Sequence, residues 1–326
     1  MDIKDMSEFL REEAERVGSN TMGVLHELLV GHHLLGGRHM GRHADVNGLS
    51  PEEAHDRLKA TISQDQYDEI NKKARAAAEH IKAQLASHGT LHNIAWTSKA
   101  GDIKRTTGID SSQEDDPSDI IATTIDSDGK VKHHGISLKV TEKRGGHVPV
   151  SNLGMERTHG GQQILDQHRA DLDEAHPMLK SLRNKELRKQ WMKQNPEAAA
   201  QIKKRNAQVL NSIAQNMSDR LSQLPRDEYV RHLRSVMAAK PTPMQTLGHT
   251  HIRHTAYGAN GNYSFHGMDP ANEHEDILND HENITHEPRG TSVVFMHKNK
   301  PFARHRIKFE SQSDPKSSIK GSGELI

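Results

Sequence analysis

Asp119 and Lys139 are the two residues of this chain whose chemistry and spacing say most. They lie in the stretch DPSDIIATTIDSDGKVKHHGISLKVTEK, residues 116–143. Residues 120–125 (IIATTI) are β-branched and apolar and read as a strand; residues 131–140 (VKHHGISLKV) read as its partner across a Ser-Asp-Gly-Lys turn. In a twisted hairpin of this length the start of the first strand lies beside the end of the second. The Asp119 carboxylate and the Lys139 ammonium therefore meet at one edge. A carboxylate that holds a divalent cation, next to a lysine that orients or deprotonates water, is the minimal apparatus for hydrolysing a phosphodiester.

Pro117-Ser118-Asp119, the hairpin, and Ser137-Leu138-Lys139 together resemble the core of the PD-(D/E)XK nuclease superfamily, the fold of many restriction enzymes, repair nucleases and some phage and intron-encoded endonucleases. About thirty residues carry the resemblance strictly, and half the chain if the flanking elements are included. It implies an α/β (α+β) fold with a restriction-endonuclease-like mixed sheet flanked by helices, and a metal-dependent endonuclease acting on duplex DNA. By resemblance Asp119 is the central ligand of Mg²⁺ (or Mn²⁺), the carbonyl of Leu138 a second, and Glu27 a third, direct or through water. Lys139 positions the attacking water. The family has Glu or Asp where this chain has Ser137, and a hydroxyl is a poor Mg²⁺ ligand. Either another carboxylate fills the gap, Glu27 first and Asp116 second, with Ser137 a spectator or an outer hydrogen bonder, or the chain is a degenerate, inactive copy.

The elements that position these residues follow in a legible order. Thr21 and the two residues before it can cap a helix with Leu25, Leu28, Leu29 and His32 on one stripe, ended by Gly36-Gly37. Glu27 sits one step off that stripe, at the margin between core and cleft; a plain solvated glutamate is the competing reading. Ser50-Pro51-Glu52-Glu53 is a capping box, a longer helix spans 64–87, and residues 90–98 (TLHNIAWTS) read as a strand. Helix, strand and hairpin follow in the order that the nuclease core requires. Between strand and hairpin lies a polar loop with Lys99, Lys104 and Arg105; beyond the hairpin, Lys143, Arg144 and Asn152 flank a Gly-rich segment suited to flexibility beside a substrate.

Residues 161–240 read as a large helical insertion or subdomain, with Lys185, Arg188, Lys189, Lys203, Lys204 and Arg205 as candidate phosphate contacts. The strands TSVVFMHK and ARHRIKFES form a second hairpin in which Arg304, Arg306 and Lys308 share one face. The last fourteen residues read as a loosely attached tail. The expected division is 1–160 for the N-terminal helices and nuclease hairpin, 161–240 for the insertion, and 241–326 for a β-rich part that can complete the core sheet.

Composition narrows the alternatives. The 326 residues contain no cysteine, so disulfides and thiolate metal sites are excluded, and no apolar run is long enough to span a bilayer. An intracellular, cytoplasmic protein is expected, in the host cytoplasm if virus-encoded. Net charge is zero, 44 basic against 44 acidic residues, but the distribution is uneven: seven acids and no Lys or Arg over 106–129, and nine Lys or Arg against two acids over 180–205. Ordinary pairing between segments produces the same pattern. Aromatics are 3% of the chain, which disfavours a base-stacking single-strand binder. Of the 25 histidines, His249, His251 and His254 form the one compact group, with a structural zinc site as its functional reading. Nothing resembles a Walker loop or a dinucleotide fingerprint. The rival class is a non-catalytic DNA-binding or virion assembly protein that keeps a nuclease-like fold. Cutting both strands implies a homodimer for enzymes of this kind.

Overall fold

The structure, a computed structural model, describes residues 21–41, 45, 47–112, 115–141 and 148–326. The chain before residue 21, Lys143 and Arg144 lie outside the described residues. Contacts divide the chain into two units, each discontinuous: Met1–Gly146 with Pro241–Glu273, and His147–Lys240 with His274–Ile326. The breaks at 146, 240 and 273 differ from the three consecutive parts expected from the sequence, because the last third is shared between two sheets.

In the first unit, helix α1 (21–34) stops where Gly36 and Gly37 take φ of 66° and 93° and return their N–H groups to His33 and His32. Helices α2 (Pro51–Lys59) and α3 (Gln64–Leu85) both begin with reciprocal capping boxes, at Ser50 with Glu53 and at Ser63 with Gln66. Strand β1 (Thr90–Trp96) follows, then α4 (Asp102–Thr107), β2 (Ile120–Ile125) and β3 (Val131–Thr141). The segment expected to be only a polar loop thus contains a helix, nucleated by buried Asp102, whose carboxylate accepts from Lys99 N and pairs with Arg105.

The chain then enters the second unit with β4 (Val148–Leu153), α5 (Gly161–Ala175), α6 (Pro177–Ser181), α7 (Lys185–Gln194), α8 (Pro196–Leu221) and α9 (Arg226–Val236). It returns with α10 (Pro243–Thr246), β5 (Thr250–Ala259) and β6 (Asn262–Met268) to close the first sheet in the order β1-β2-β3-β5-β6. Every pair is antiparallel except β3 with β5, and a parallel pair needs a long crossover. One face of this sheet, through Ile94, Trp96, Ile120, Ile136 and Leu138, packs on Leu25, Leu28 and Leu29 of α1 and Ile70, Ala74, Ala77 and Ile81 of α3. The first unit is an α/β fold with a mixed sheet flanked by helices.

The second unit adds α11 (Glu275–Asn279), β7 (Ile284–Arg289), β8 (Ser292–His297), β9 (Lys300–Phe309) and β10 (Ile319–Leu325), giving an antiparallel sheet in the order β4-β10-β9-β8-β7. Val293, Phe295, Ile307, Phe309 and Ile319 meet Ile213, Met217, Leu221, Leu233 and Val236 from α8 and α9. The large helical insertion, α5 to α9, is present as expected, with a small core of its own around Leu172, Leu179, Met192 and Ile202. The β8–β9 hairpin turns at Lys298 and Asn299, both at positive φ, as a two-residue turn of the primed type demands.

Two expectations fail here. Residues 148–153 are an edge strand rather than a flexible segment, and the supposed loose tail supplies β10, paired on both sides by β4 and β9. The tail reads as polar because Gly321 and Gly323 leave room for neighbours: a Cβ at Gly323 would meet the Val236 carbonyl, and one at Gly321 the His305 ring. The approach to β10 is anchored by Asp314, buried, whose two carboxylate oxygens each accept from the Arg188 guanidinium at 2.8 Å. Asp314→Ala leaves that guanidinium without its partner and is expected to cost about 3 kcal/mol. A urea midpoint giving a loss below about 1 kcal/mol would remove the anchor from this account.

Candidate functional site

Asp119 continues the ladder one residue ahead of β2. Its N–H donates to the Ile136 carbonyl at 2.9 Å and its own carbonyl accepts from Thr97 N at 3.1 Å, so the backbone is held between β1 and β3. The side chain is thereby delivered to the end of β3. Asp119 Oδ2 accepts from Leu138 N at 2.6 Å and lies 3.5 Å from both Ser137 Oγ and Lys139 Nζ. Among the described residues the other oxygen, Oδ1, has no hydrogen-bond partner.

Glu27 reaches the same place from α1. Trp96, the last residue of β1 and the register partner of Ile120, donates its indole N–H to Glu27 Oε2 at 3.3 Å. Burial, and then the negative charge of Asp119, push the Glu27 carboxyl up to about 8; the Trp96 hydrogen bond and the Lys139 ammonium act in the opposite direction. At neutral pH Glu27 is consequently protonated, and this carboxyl is held beside a second carboxylate and a lysine by three separate elements. Two acids crowded to the point where one keeps its proton form a site that a divalent cation would discharge.

Leu138 turns its N–H toward Asp119, and since N–H and C=O of one strand residue face the same neighbour, its carbonyl borders the same edge. Asp116 does not join the group: it is fully buried and its Oδ2 accepts from Met244 N, 3.4 Å away at the start of α10. Among the described residues no set of three His, Asp or Glu side chains is spaced to hold one ion. The donor set is therefore two carboxylates and a carbonyl edge. That suits Mg²⁺ or Mn²⁺, which take one or two carboxylates and fill the remaining positions with water and phosphate oxygens.

Further groups stand behind Lys139 on the neighbouring strand. The β3–β5 register sets Ser137 opposite Arg253 and Lys139 opposite Thr255. Arg253 is buried and paired with Glu273. His251, across from Gly135, is held neutral, lowered to about 3 by burial and then by Arg253 and Lys139, and its Nδ1 lies 3.3 Å from Ser118 Oγ. Sequence reasoning missed Trp96 and Arg253. One of only two tryptophans, closing a strand whose partner begins right after Asp119, was a readable signal for Trp96; Arg253 depends on a pairing between strands more than a hundred residues apart and left none.

The histidine trio disperses. His249 Nδ1 accepts from His133 N, His251 faces Ser118 and His254 faces His80, which removes the zinc reading. Several candidate phosphate contacts already hold acids: Lys104 pairs with Asp110, Arg105 with Asp102, Arg188 with Asp314, Lys189 with Glu186, Arg205 with Asp171 and Arg304 with Glu324. Lys203 and Lys204 remain exposed on α8, and Asn152 is exposed on β4. No family, no curated protein and no solved structure matches this chain. No described helix is long and apolar enough to cross a membrane.

Proposed function

We propose that this protein is a metal-dependent endonuclease that hydrolyses phosphodiester bonds of duplex DNA, with Glu27, Asp119 and Lys139 as its site. The observation that carries the reading is the convergence of Asp119 and Lys139, 3.5 Å apart, with a half-buried Glu27 whose proton affinity is raised by desolvation and then by Asp119. Asp119 and Glu27 would hold Mg²⁺ or Mn²⁺, with the Leu138 carbonyl at the same edge. When bound, the ion supplies Lewis-acid polarisation of the phosphate and a more acidic water. Lys139 places a positive charge where charge develops on the phosphate oxygens and orients the attacking water. Ser137 and the Leu138 N–H hold Oδ2 of Asp119, and among the described residues Oδ1 has no hydrogen-bond partner to compete with a ligand. A restriction-endonuclease-like core, cleavage of both strands by a homodimer, and action in the cytoplasm extend this reading.

One observation favours a second reading. The position where the nuclease family carries an acid is Ser137, and no third carboxylate or imidazole accompanies Glu27 and Asp119 among the described residues. A DNA-binding or virion assembly protein that keeps the arrangement without its chemistry accounts for both facts.

Supercoiled plasmid and random linear duplex, incubated with Mg²⁺, Mn²⁺ or EDTA, separate the two. Metal-dependent nicking is expected from the wild type, with a loss of about a thousandfold in Asp119→Ala and in Lys139→Ala. A folded wild type that cuts neither substrate with either metal sinks the nuclease reading in favour of the second.

A further inference from the structure

The sheet of the second unit buries one face and leaves the other with a surplus of positive charge. Along β9, His305, Ile307 and Phe309 turn inward, while Arg304, Arg306 and Lys308 alternate to the opposite face. The register with β10 sets Lys308 opposite Lys320, Arg306 opposite Ser322 and Arg304 opposite Glu324, and β4 continues the row with Asn152 opposite Ser322.

A single buried carboxylate serves these four cations. Glu324 accepts from Arg304 Nε at 2.6 Å and from Ser322 Oγ at 3.1 Å, and its second oxygen lies 3.8 Å from Arg306. Neither Lys308 nor Lys320 has an acidic partner at ion-pair distance among the described residues; Glu310 is the next side chain along the same alternation and is exposed. Like charges directly opposite on a sheet are unfavourable. Burial, and then the proximity of Arg306 and Lys320, hold the Lys308 ammonium below the usual lysine range against the pull of Glu324. Such crowding is relieved by an anion.

We propose that this outer face, centred on Arg306, Lys308 and Lys320, binds the sugar-phosphate backbone of duplex DNA. Arg306 offers a planar fork to a phosphate, and Asn152 adds a neutral donor of the kind that positions a backbone. The face carries no aromatic ring among Asn152, Ser322 and these cations, so stacking of single-stranded bases has no platform there. The choice of DNA as the polyanion rests on the nuclease reading. Binding itself needs neither Asp119 nor a metal.

The test is fluorescence anisotropy of a random-sequence duplex in EDTA over a series of salt concentrations. It compares the wild type with Arg306→Gln/Lys308→Gln/Lys320→Gln and with a control that removes three exposed cations of the first unit, Lys72→Gln/Arg75→Gln/Lys130→Gln. The triple variant is expected to lower the slope of log affinity against log salt by about 2 to 3, one phosphate contact for each cation removed. Its thermal midpoint is expected to match or exceed that of the wild type, since a like-charge pair is gone, and so loss of binding is not loss of fold. A slope equal to the control's, or a wild type that binds no duplex, overturns the proposal. Plasmid cleavage, scored separately, distinguishes the failures. Cleavage with an unchanged slope sinks only the binding face, whereas a lost slope without any cleavage by the wild type sinks only the nuclease reading.

Discussion

Mg²⁺ affinity is expected to rise about tenfold per pH unit from about pH 6 to about pH 8 and to level off above, because the ion displaces the Glu27 proton. Burial and the Asp119 charge raise this carboxyl to about 8, so below that pH each binding event must release nearly one proton. Calorimetry in two buffers of different ionisation enthalpy counts those protons directly. The sign for stability is opposite. A carboxyl whose folded pKa is raised from 4.5 to about 8 favours the folded state at acid pH and costs it stability progressively as pH climbs through that window. Glu27→Gln is therefore expected to be more stable than the wild type at about pH 8 in EDTA, to bind Mg²⁺ about a hundredfold more weakly, and to lose the pH dependence of binding. Affinity that stays flat with pH in the wild type would detach Glu27 from the ion.

Acidification is expected to unfold both units between about pH 6 and about pH 4.5. His26, His134, His251 and His254 in the first unit and His305 in the second are lowered from 6.5 to about 3, and His232 to about 2, burial being the main cause in each. The neighbours are cations or other histidines: Lys73 beside His26, and Arg157 beside His232 and His305. Since the unfolded chain takes up these protons at 6.5 and the folded one does not until far lower, stability is complete above 6.5 and falls as pH drops. Each buried ring gives up about 1.4 kcal/mol per pH unit in that range. Four rings in the first unit make a loss of order 8 kcal/mol by pH 5, as large as the whole stability of many domains. Circular dichroism and the fluorescence of Trp96 and Trp191, one in each unit, follow the transition. Among the described residues neither ring nitrogen of His26 has a hydrogen-bond partner, so His26→Leu is expected to move the first unit's midpoint to lower pH. A wild type with the same urea midpoint at pH 7.5 and 4.5 contradicts this account.

How much of this was readable depends on how far apart in sequence the partners lie. The meeting of Asp119 with Lys139 is local: period-two alternation and the turn at 126–130 set the register Ile120 with Ile136, and the rest follows. Capping boxes at Ser50 and Ser63 and the glycine stop of α1 are local as well. Helical periodicity put Glu27 one step off the apolar stripe of α1, and the family resemblance made it a candidate ligand. What stayed hidden is contact across long separations. The pairing of β10 with β4, the Arg188–Asp314 clamp and the parallel β3–β5 ladder leave no mark within any window of sequence, and glycines that look like linker are there to admit neighbouring backbone.

The discontinuity of both units also sets an order of events during synthesis. The hairpin that bears Asp119 and Lys139 is complete by residue 141, but its parallel neighbour β5 begins only at residue 250, after most of the other unit has been made. Closing so long a loop is slow and entropically costly. The second sheet waits longer still, since β10 must slot between β4 and β9. Before residue 250 is made, the chain therefore holds β1, β2 and β3 with an unpaired edge and β4 without any strand of its own sheet. The strand that flanks Lys139 therefore arrives more than a hundred residues after the hairpin, and until then the open edge of β3 is a template for mispairing.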